Sequence, residues 1–216
     1  GLSSSAALEN ALGLALARLN GCDNLDRDRL ALWGQLTEHQ YAGCGCGIMD
    51  QLVIARAVEH SALLIDCQNL ACQAIDWPQQ AAVMIVHSGI ERGLVDGHYD
   101  QRRKQCEAAA SHYQLESLRG LDMARLVQDR GGLDELSFRR ARHVISENQR
   151  VLLAVKALSD NDLAGLGRLM AASHISMRDD FEITTPAIDR LVEIAQNAIG
   201  DEGGARMTGG GFGGAI

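Results

Sequence analysis

Leu8, Leu12, Ala15, Leu16 and Leu19 recur at helical spacing after a run of serines, and Asn20-Gly21 closes the run. The spacing predicts a helix over 4–20 with one buried face. A second helical pattern covers 28–42 and gives way to Gly43-Cys44-Gly45-Cys46-Gly47, whose glycines permit backbone geometry that a Cβ resists. A third, short helix is expected to start near Met49. Ala62–Asp66 and Ala82–Val86 are short apolar runs with little alternation, readable as buried strands, and 71–76 between them can pair as a third.

From 96 to 199 the pattern is mostly helical. Residues 133–158 place Ala141, Val144, Ile145, Leu152 and Val155 on one stripe, and Asn148 falls on it too, where a polar group needs a partner. Thr185-Pro186 supplies an N-cap and a first-turn proline, and Gly200 stops the helix that carries Ile188, Leu191, Val192, Ala195 and Ile199. Ala205-Arg206-Met207 is expected as a strand leading into Thr208–Gly214. The resulting fold class is α+β, with a change of domain near 88–95.

Composition narrows the picture. The chain has 216 residues, 46% of them hydrophobic, enough for an ordinary core and too many for disorder. Lys+Arg number 20 against 28 Asp+Glu, a net charge of −8 without long like-charged blocks, which argues against nucleic acid or an anionic membrane as partner. The longest apolar run, Ala81–Val86, is far short of the ~20 residues that span a bilayer, so no membrane anchor is expected. The first residues lie mid-motif without Met and the last stop in a glycine loop, so the chain reads as an internal fragment; nothing in it resembles a signal peptide. Six cysteines are too sparse for a disulfide scaffold, and Cys44-x-Cys46 has neither a second close pair nor His at zinc spacing. Reduced thiols in a cytoplasmic protein are the favoured reading.

Three constellations carry candidate chemistry. Gly1-Leu2-Ser3-Ser4-Ser5 opens a helix, where free N–H groups, the positive dipole end and three hydroxyls can hold phosphate oxygens or a magnesium ion; a serine-rich N-cap is the plainer alternative. It is not a Walker sequence, since no Gly-Lys-Ser/Thr follows. Gly47-Ile48-Met49-Asp50-Gln51 puts a carboxylate after a glycine-rich turn near a helix start, facing a ligand or capping the helix. Thr208 to Gly214 has five glycines in seven positions, with apolar flanks and a Phe inside, which suits an ordered loop better than a tether.

In combination these segments resemble the sugar kinases of the GHMP superfamily, and within it the galactokinase branch. Gly1-Leu-Ser-Ser-Ser-Ala6 is similar to the second family motif, Arg206-Met-Thr-Gly-Gly-Gly-Phe-Gly-Gly214 to the third, and Cys46-Gly-Ile-Met-Asp-Gln51 to a segment particular to the branch. The likeness continues through His60–Cys67, Arg102-Arg103 with Cys106, and Ser173–Ile183.

The resemblance implies a GHMP kinase fold, incomplete here: residues 1–90 from a ribosomal protein S5 domain 2-like N-terminal domain, and 91–216 from a helical, ferredoxin-like C-terminal domain. It implies transfer of the γ-phosphoryl group of ATP to the C1 hydroxyl of α-D-galactose in a cytoplasmic monomer, with Asp50 accepting the sugar's proton. Gly1, Leu2, Ser3, Ser4 and Ser5 would bind the ATP phosphates, Ser5 and Glu38 would hold Mg²⁺, and Gly47, Asp50 and Tyr99 would touch the sugar. Gly209, Gly210 and Gly211 would lie beside the phosphates and contribute backbone shape. Taken without the resemblance, Glu38 reads equally as an exposed carboxylate and Tyr99 as a surface aromatic, and Asp179-Asp180 suits ion pairing better than a metal. The family's first motif, with an arginine near the catalytic Asp, lies upstream, so no turnover is expected from the 216 residues alone, and exposed apolar surface should limit solubility. A sugar sensor and a kinase for N-acetylgalactosamine are the competing readings.

Overall fold

The computed structural model describes residues 2–90 and 96–216, the side chains of Asp96 and Tyr99 excepted. Two compact units result, Gly1–Gln79 and Gln80–Ile216. Helix dominates both, and among the described residues the one ladder is a two-stranded antiparallel hairpin.

In Gly1–Gln79, α1 (Ser4–Leu19), α2 (Arg27–Thr37) and α3 (Met49–Arg56) pack on one another, and α2 runs on as a π-helical turn, Glu38–Ala42. Gly43, at φ 67°, closes that turn in the left-handed region. The small core is Ala31, Ile48, Leu52 and Ala55, with Ile65 and Leu70 against it. Arg27 donates from Nη1 to Ala55 O at 2.7 Å, and Arg56 grips Asp28 through Nε at 2.6 Å and through Nη2, so the last two residues of α3 are tied to the start of α2. β1 (Ser61–Asp66) and β2 (Ala71–Asp76) form the hairpin in the register Ser61–Asp76 to Asp66–Ala71, so 71–76 does pair with the predicted strand at 62–66.

The face of α1 differs from expectation. Leu8 is 70% exposed and Leu12, Leu16 and Leu19 are exposed too; the buried positions are Ala6 and Asn10. Gly13 allows close approach to α2, where a Cβ on it would stand 2.7 Å from Leu30 Cδ1. Helical spacing located the helix and its leucine stripe, but the face packed within Gly1–Gln79 is the small-residue one, and the leucine stripe meets no covering element among the described residues.

In Gln80–Ile216, α4 (Asp96–His112), α5 (Met123–Gln128) and α6 (Glu135–Ser159) enclose Ala109, Ala110, Tyr113, Leu118, Leu121, Leu126, Phe138, Ala141 and Ile145. α7 (Leu163–Asp179) lies along α6, and α8 (Pro186–Ile199) starts as predicted, with the Thr185 hydroxyl accepting from Ile188 N and Pro186 in the first turn. Asn148 and Leu152 are exposed, so the stripe read on 133–158 is corrected: the buried side of α6 runs through Phe138, Ala141, His143 and Ile145 and carries polar groups. Arg140, 1% exposed, is the largest of these, and its guanidinium is answered by Gln105 of α4, Asp180 O and Glu182. His143 lies against Ser176 Oγ at 2.9 Å and stacks on Phe181, and burial pushes its pKa down to about 4, so the ring is neutral.

Two predicted strands are not ladders. Val83, Met84 and Ile85 are exposed, and only Val86 of that run exchanges backbone bonds, with Ile216 at 3.0 and 3.1 Å. Residues 205–207 are buried at Ala205 and Met207 but pair with no strand among the described residues; the chain ahead of them lies close on α7, where a Cβ on Gly167 would stand 1.9 Å from Gly203 O. An apolar run thus guarantees neither burial, as 83–85 show, nor a sheet, since 205–207 are buried without a ladder.

Leu126, fully buried beneath Tyr113 and Phe138, should be a sensitive core position. Leu126→Ala is expected to cost about 2–5 kcal/mol by the cavity it leaves, read as a lowered urea midpoint at unchanged slope.

Candidate functional site

Helix caps separate the helices with candidate chemistry from the rest. Side chains of Asp26, Asp122, Asp134, Asp162 and Thr185 accept an amide at the starts of α2, α5, α6, α7 and α8. At α1 the N-cap is Ser3, left-handed at φ 51°, and its hydroxyl makes no cap bond; at α3 it is Ile48, which has no such group. A missing cap forgoes about 1 kcal/mol and leaves first-turn amides at the positive end of a helix dipole available to an anion. At α1 these belong to the serine turn, with Leu2, Ser4 and Ser5 exposed, so the plain N-cap reading of the serines is not realised. Gly1 lies outside the described residues.

Asp50 stands in the first turn of α3, two residues past the N-cap, and is half-buried; it does not cap the helix. Its neighbour Gln51 is 1% exposed. Gln51 meets α1 through Asn10 Nδ2, which reaches Gln51 O at 3.4 Å as well as Ala6 O at 2.9 Å. The Gln51 side chain lies beside the Glu9 carboxyl, and both pack against Gly34, where a Cβ would be 3.0 Å from Gln51 Cγ and 3.2 Å from Glu9 Oε2. The loop ahead of Asp50 is pinned from α2 and its π-helical extension: Gln35 Nε2 donates to Cys46 O at 3.2 Å, and His39 Nε2 to the same oxygen at 2.9 Å. Gly47 has open space where a Cβ would go and no left-handed φ, so internal packing does not require glycine there. Glu9, Asn10, Gln35, His39 and Gln51 are the positioning residues that motif reading passed over, and nothing local in the sequence separates them from surface amides and acids.

Glu38 is buried at the junction of α2 and the π-helical turn, where it meets no cationic partner among the described residues. Its charge acts on two neighbours. The Glu9 carboxyl is held above the usual range by burial first and by Glu38 second, against the opposing pull of the Gln51 side chain. Burial, then the Cys44 and Glu38 charges, push the Cys46 thiol up to about 11, so this cysteine stays protonated and unreactive. None of the six cysteines is in a disulfide, and no cluster of three or more His, Cys, Asp or Glu among the described residues suits a metal. A buried carboxylate without a counter-charge fits a magnesium ion of the kind that keeps few protein ligands and takes the rest from phosphate and water.

In Gln80–Ile216 the glycine segment is an ordered turn. Thr208 N donates to Ala215 O at 2.9 Å, Phe212 N to Ile183 O at 2.6 Å, and Ser88 gives both N and Oγ to Gly214 O at 2.8 and 2.7 Å. Gly209 and Gly210 form an exposed tip, while Gly211, Gly213 and Gly214 are buried. Gly211 has φ 85°, and a Cβ there would be 2.6 Å from Ile183 O, so close approach and backbone sign both demand glycine. Ile183 is itself held by the Asp180–Glu182 turn: Arg102 Nε donates to Phe181 O at 2.6 Å and Nη2 to Glu182 O at 2.9 Å, while Arg139 and Arg140 pair with the Glu182 carboxylate. Asp180 is taken by Arg142 and Ser176, and Asp179 by Arg178, so these two acids are ion-pair groups as expected. The side chain of Tyr99, on α4, lies outside the described residues.

The family described as "GHMP kinases N terminal domain" matches residues 1–57, and "GHMP kinases C terminal" matches residues 154–216. The Lactococcus lactis galactokinase crystal structure, complexed with galactose, superposes with a TM-score of 0.91 at 35% identity over 100% of this chain and 56% of that one. The L. major mevalonate kinase structure, in complex with R-mevalonate, superposes with a TM-score of 0.62 at 20% identity and the same coverage, a likeness of fold alone. The chain thus spans 56% of the length of each of these solved structures.

Gly211→Ala should break the Phe212–Ile183 bond and strain the turn, at a local cost of about 1–3 kcal/mol. Amide exchange at 208–214 is expected to quicken while α4–α6 stay protected; unchanged exchange would contradict the close approach to Ile183.

Proposed function

We propose a sugar kinase: the chain belongs to the GHMP kinases, and the activity that best fits it within that family is transfer of the γ-phosphoryl group of ATP to the C1 hydroxyl of α-D-galactose. The observation that carries this is the likeness, along the whole of this chain, to a galactokinase that was crystallised with galactose. The sugar oxygen attacks the γ-phosphorus, the bond from that phosphorus to the β,γ-bridging oxygen breaks, ADP leaves, and the hydroxyl proton passes to the Asp50 carboxylate. Such a transfer asks the protein mainly for positioning and charge neutralisation, with a base at the attacking hydroxyl as a supplement.

The residues divide the work accordingly. Uncapped amides of the serine turn, with Ser3, Ser4 and Ser5, bind the phosphates, and Gly1 and Leu2 extend that cradle; the free N-terminus of α1 supports this. Glu38 and Ser5 hold Mg²⁺, which neutralises phosphate charge when bound. Gly47 approaches the sugar through its backbone, Tyr99 touches it, and Asp50 is kept in place by the Gln51 anchorage to α1. Gly209, Gly210 and Gly211 lend backbone shape beside the phosphates. No helix among the described residues is long and apolar enough to cross a membrane, and thiols outside any disulfide support a reducing compartment such as the cytoplasm.

The full natural polypeptide that carries this sequence should consume ATP with galactose and not without sugar. Asp50→Asn should lower kcat by about 10²–10⁴-fold, the range of a positioned general base, and leave galactose binding measurable by calorimetry. Binding without turnover in the parent protein would favour a sensor, and a preference for N-acetylgalactosamine would favour the related kinase.

A further inference from the structure

The proposed chemistry leaves a buried histidine, His174 of α7, without a part. It is 5% exposed, and its Nδ1 lies 3.3 Å from the backbone N of Met207, which is itself fully buried. The amide can only donate, so Nδ1 is the bare acceptor and the ring proton sits on Nε2. Nε2 faces Oδ1 of Asp189, from α8, at 3.2 Å. The approach is oblique: neither atom completes an aligned hydrogen bond, and the attraction between them is electrostatic. Met207 immediately precedes Thr208, which opens the glycine turn through its bond to Ala215 O. Residues 205–207 have no strand partner among the described residues, and the imidazole gives Met207 N the acceptor that a ladder would otherwise give.

We propose that His174 is a positioning residue, which in its neutral Nε2–H form fixes Met207 and thereby the approach of the chain to the glycine turn, with Asp189 selecting that form. A protonated ring would present N–H to N–H at Met207 and release the segment. The groups that face the ring are Asp189 from α8, Arg178 and Asp179 from α7, and Arg206 from the segment beside it. Burial first, and Arg178 and Arg206 after it, hold the His174 pKa below the ordinary histidine value, while Asp189 pulls it up. A depressed folded-state pKa gives stability that is complete above the unfolded value of about 6.5 and is lost as pH falls toward the folded one. The turn should therefore loosen on acidification and not at alkaline pH. The effect on nucleotide rests on the phosphate role proposed above for the glycine turn; the effect on the turn itself does not.

The test is amide exchange at 207–214, corrected for intrinsic rates, together with ATP kinetics of the full natural polypeptide, across about pH 5.5 to about pH 7.5. His174→Leu should quicken exchange at 207–214 by about tenfold, the worth of one hydrogen bond, and raise KM for ATP more than it lowers kcat. His174→Asn, whose amide oxygen can accept from Met207 and whose nitrogen can face Asp189, should restore protection and abolish the acid-dependent loosening. Asp189→Asn should move that loosening to lower pH. Exchange at 207–214 unaffected by His174→Leu, or an acid response that survives His174→Asn, overturns the proposal. If His174→Leu does not fold, the His174→Asn and Asp189→Asn profiles decide it. Exchange that changes as expected with nucleotide kinetics unmoved leaves His174 in place and sinks the phosphate role of the turn.

Discussion

Every buried backbone donor has to be answered, and this protein meets that requirement largely without sheets. The consequences are plainest at 203–216, where the hydrogen bonds come one at a time from unrelated sources. Gln196 Oε1 accepts from Ala205 N at 3.2 Å, His174 Nδ1 from Met207 N, Ala215 O from Thr208 N, and Ile183 O from Phe212 N. A turn held this way is only as ordered as the side chains behind it. That is why Arg102, Arg139 and Arg140 converge on the Asp180–Glu182 turn, and why glycine is required where α7 meets Gly203 and where Gly211 meets Ile183.

At α1 and α3 the same accounting turns outward. Five other helices satisfy their first turns with their own Asp or Thr side chains, whereas the serine turn and the Asp50 turn do not. Foregoing a cap is a small loss in stability, and it leaves dipole and donors available to a ligand. Around Asp50, the buried Gln51 does for the α3 turn what the arginines do for the glycine turn, tying it to α1 and α2 through Asn10, Glu9 and the close contact at Gly34. Glu38, buried beside Glu9 with no cationic partner among the described residues, gives this region its negative field.

The readings that went astray share a cause. Leu8, Leu12, Leu16 and Leu19 mark a helix correctly but not its packed face, which carries Ala6, Asn10 and Gly13, with Asn10 reaching α3 and Gly13 lying close on α2. Val83, Met84 and Ile85 look like a strand because they are apolar, yet they are exposed and unpaired with any ladder. Asn148 falls on the apolar stripe but is in solvent, while the polar groups that α6 does bury, Arg140 and His143, leave no trace in a periodicity of apolar residues. Hydrophobic period reports that a face exists; which neighbour meets it is a long-range matter.

What the sequence determined by itself is local: the span of most helices, the Thr185-Pro186 start, the ordered glycine segment and the three motifs that identify the family, because caps, prolines, glycines and motif spacing act within a few residues. Tertiary structure decided the rest. Gln51, Arg140 and His174 are separated by many residues from the groups they hold, so their roles exist only once helices have packed. A buried polar side chain is chosen by the donor or acceptor left opposite it, and that vacancy is created by the fold.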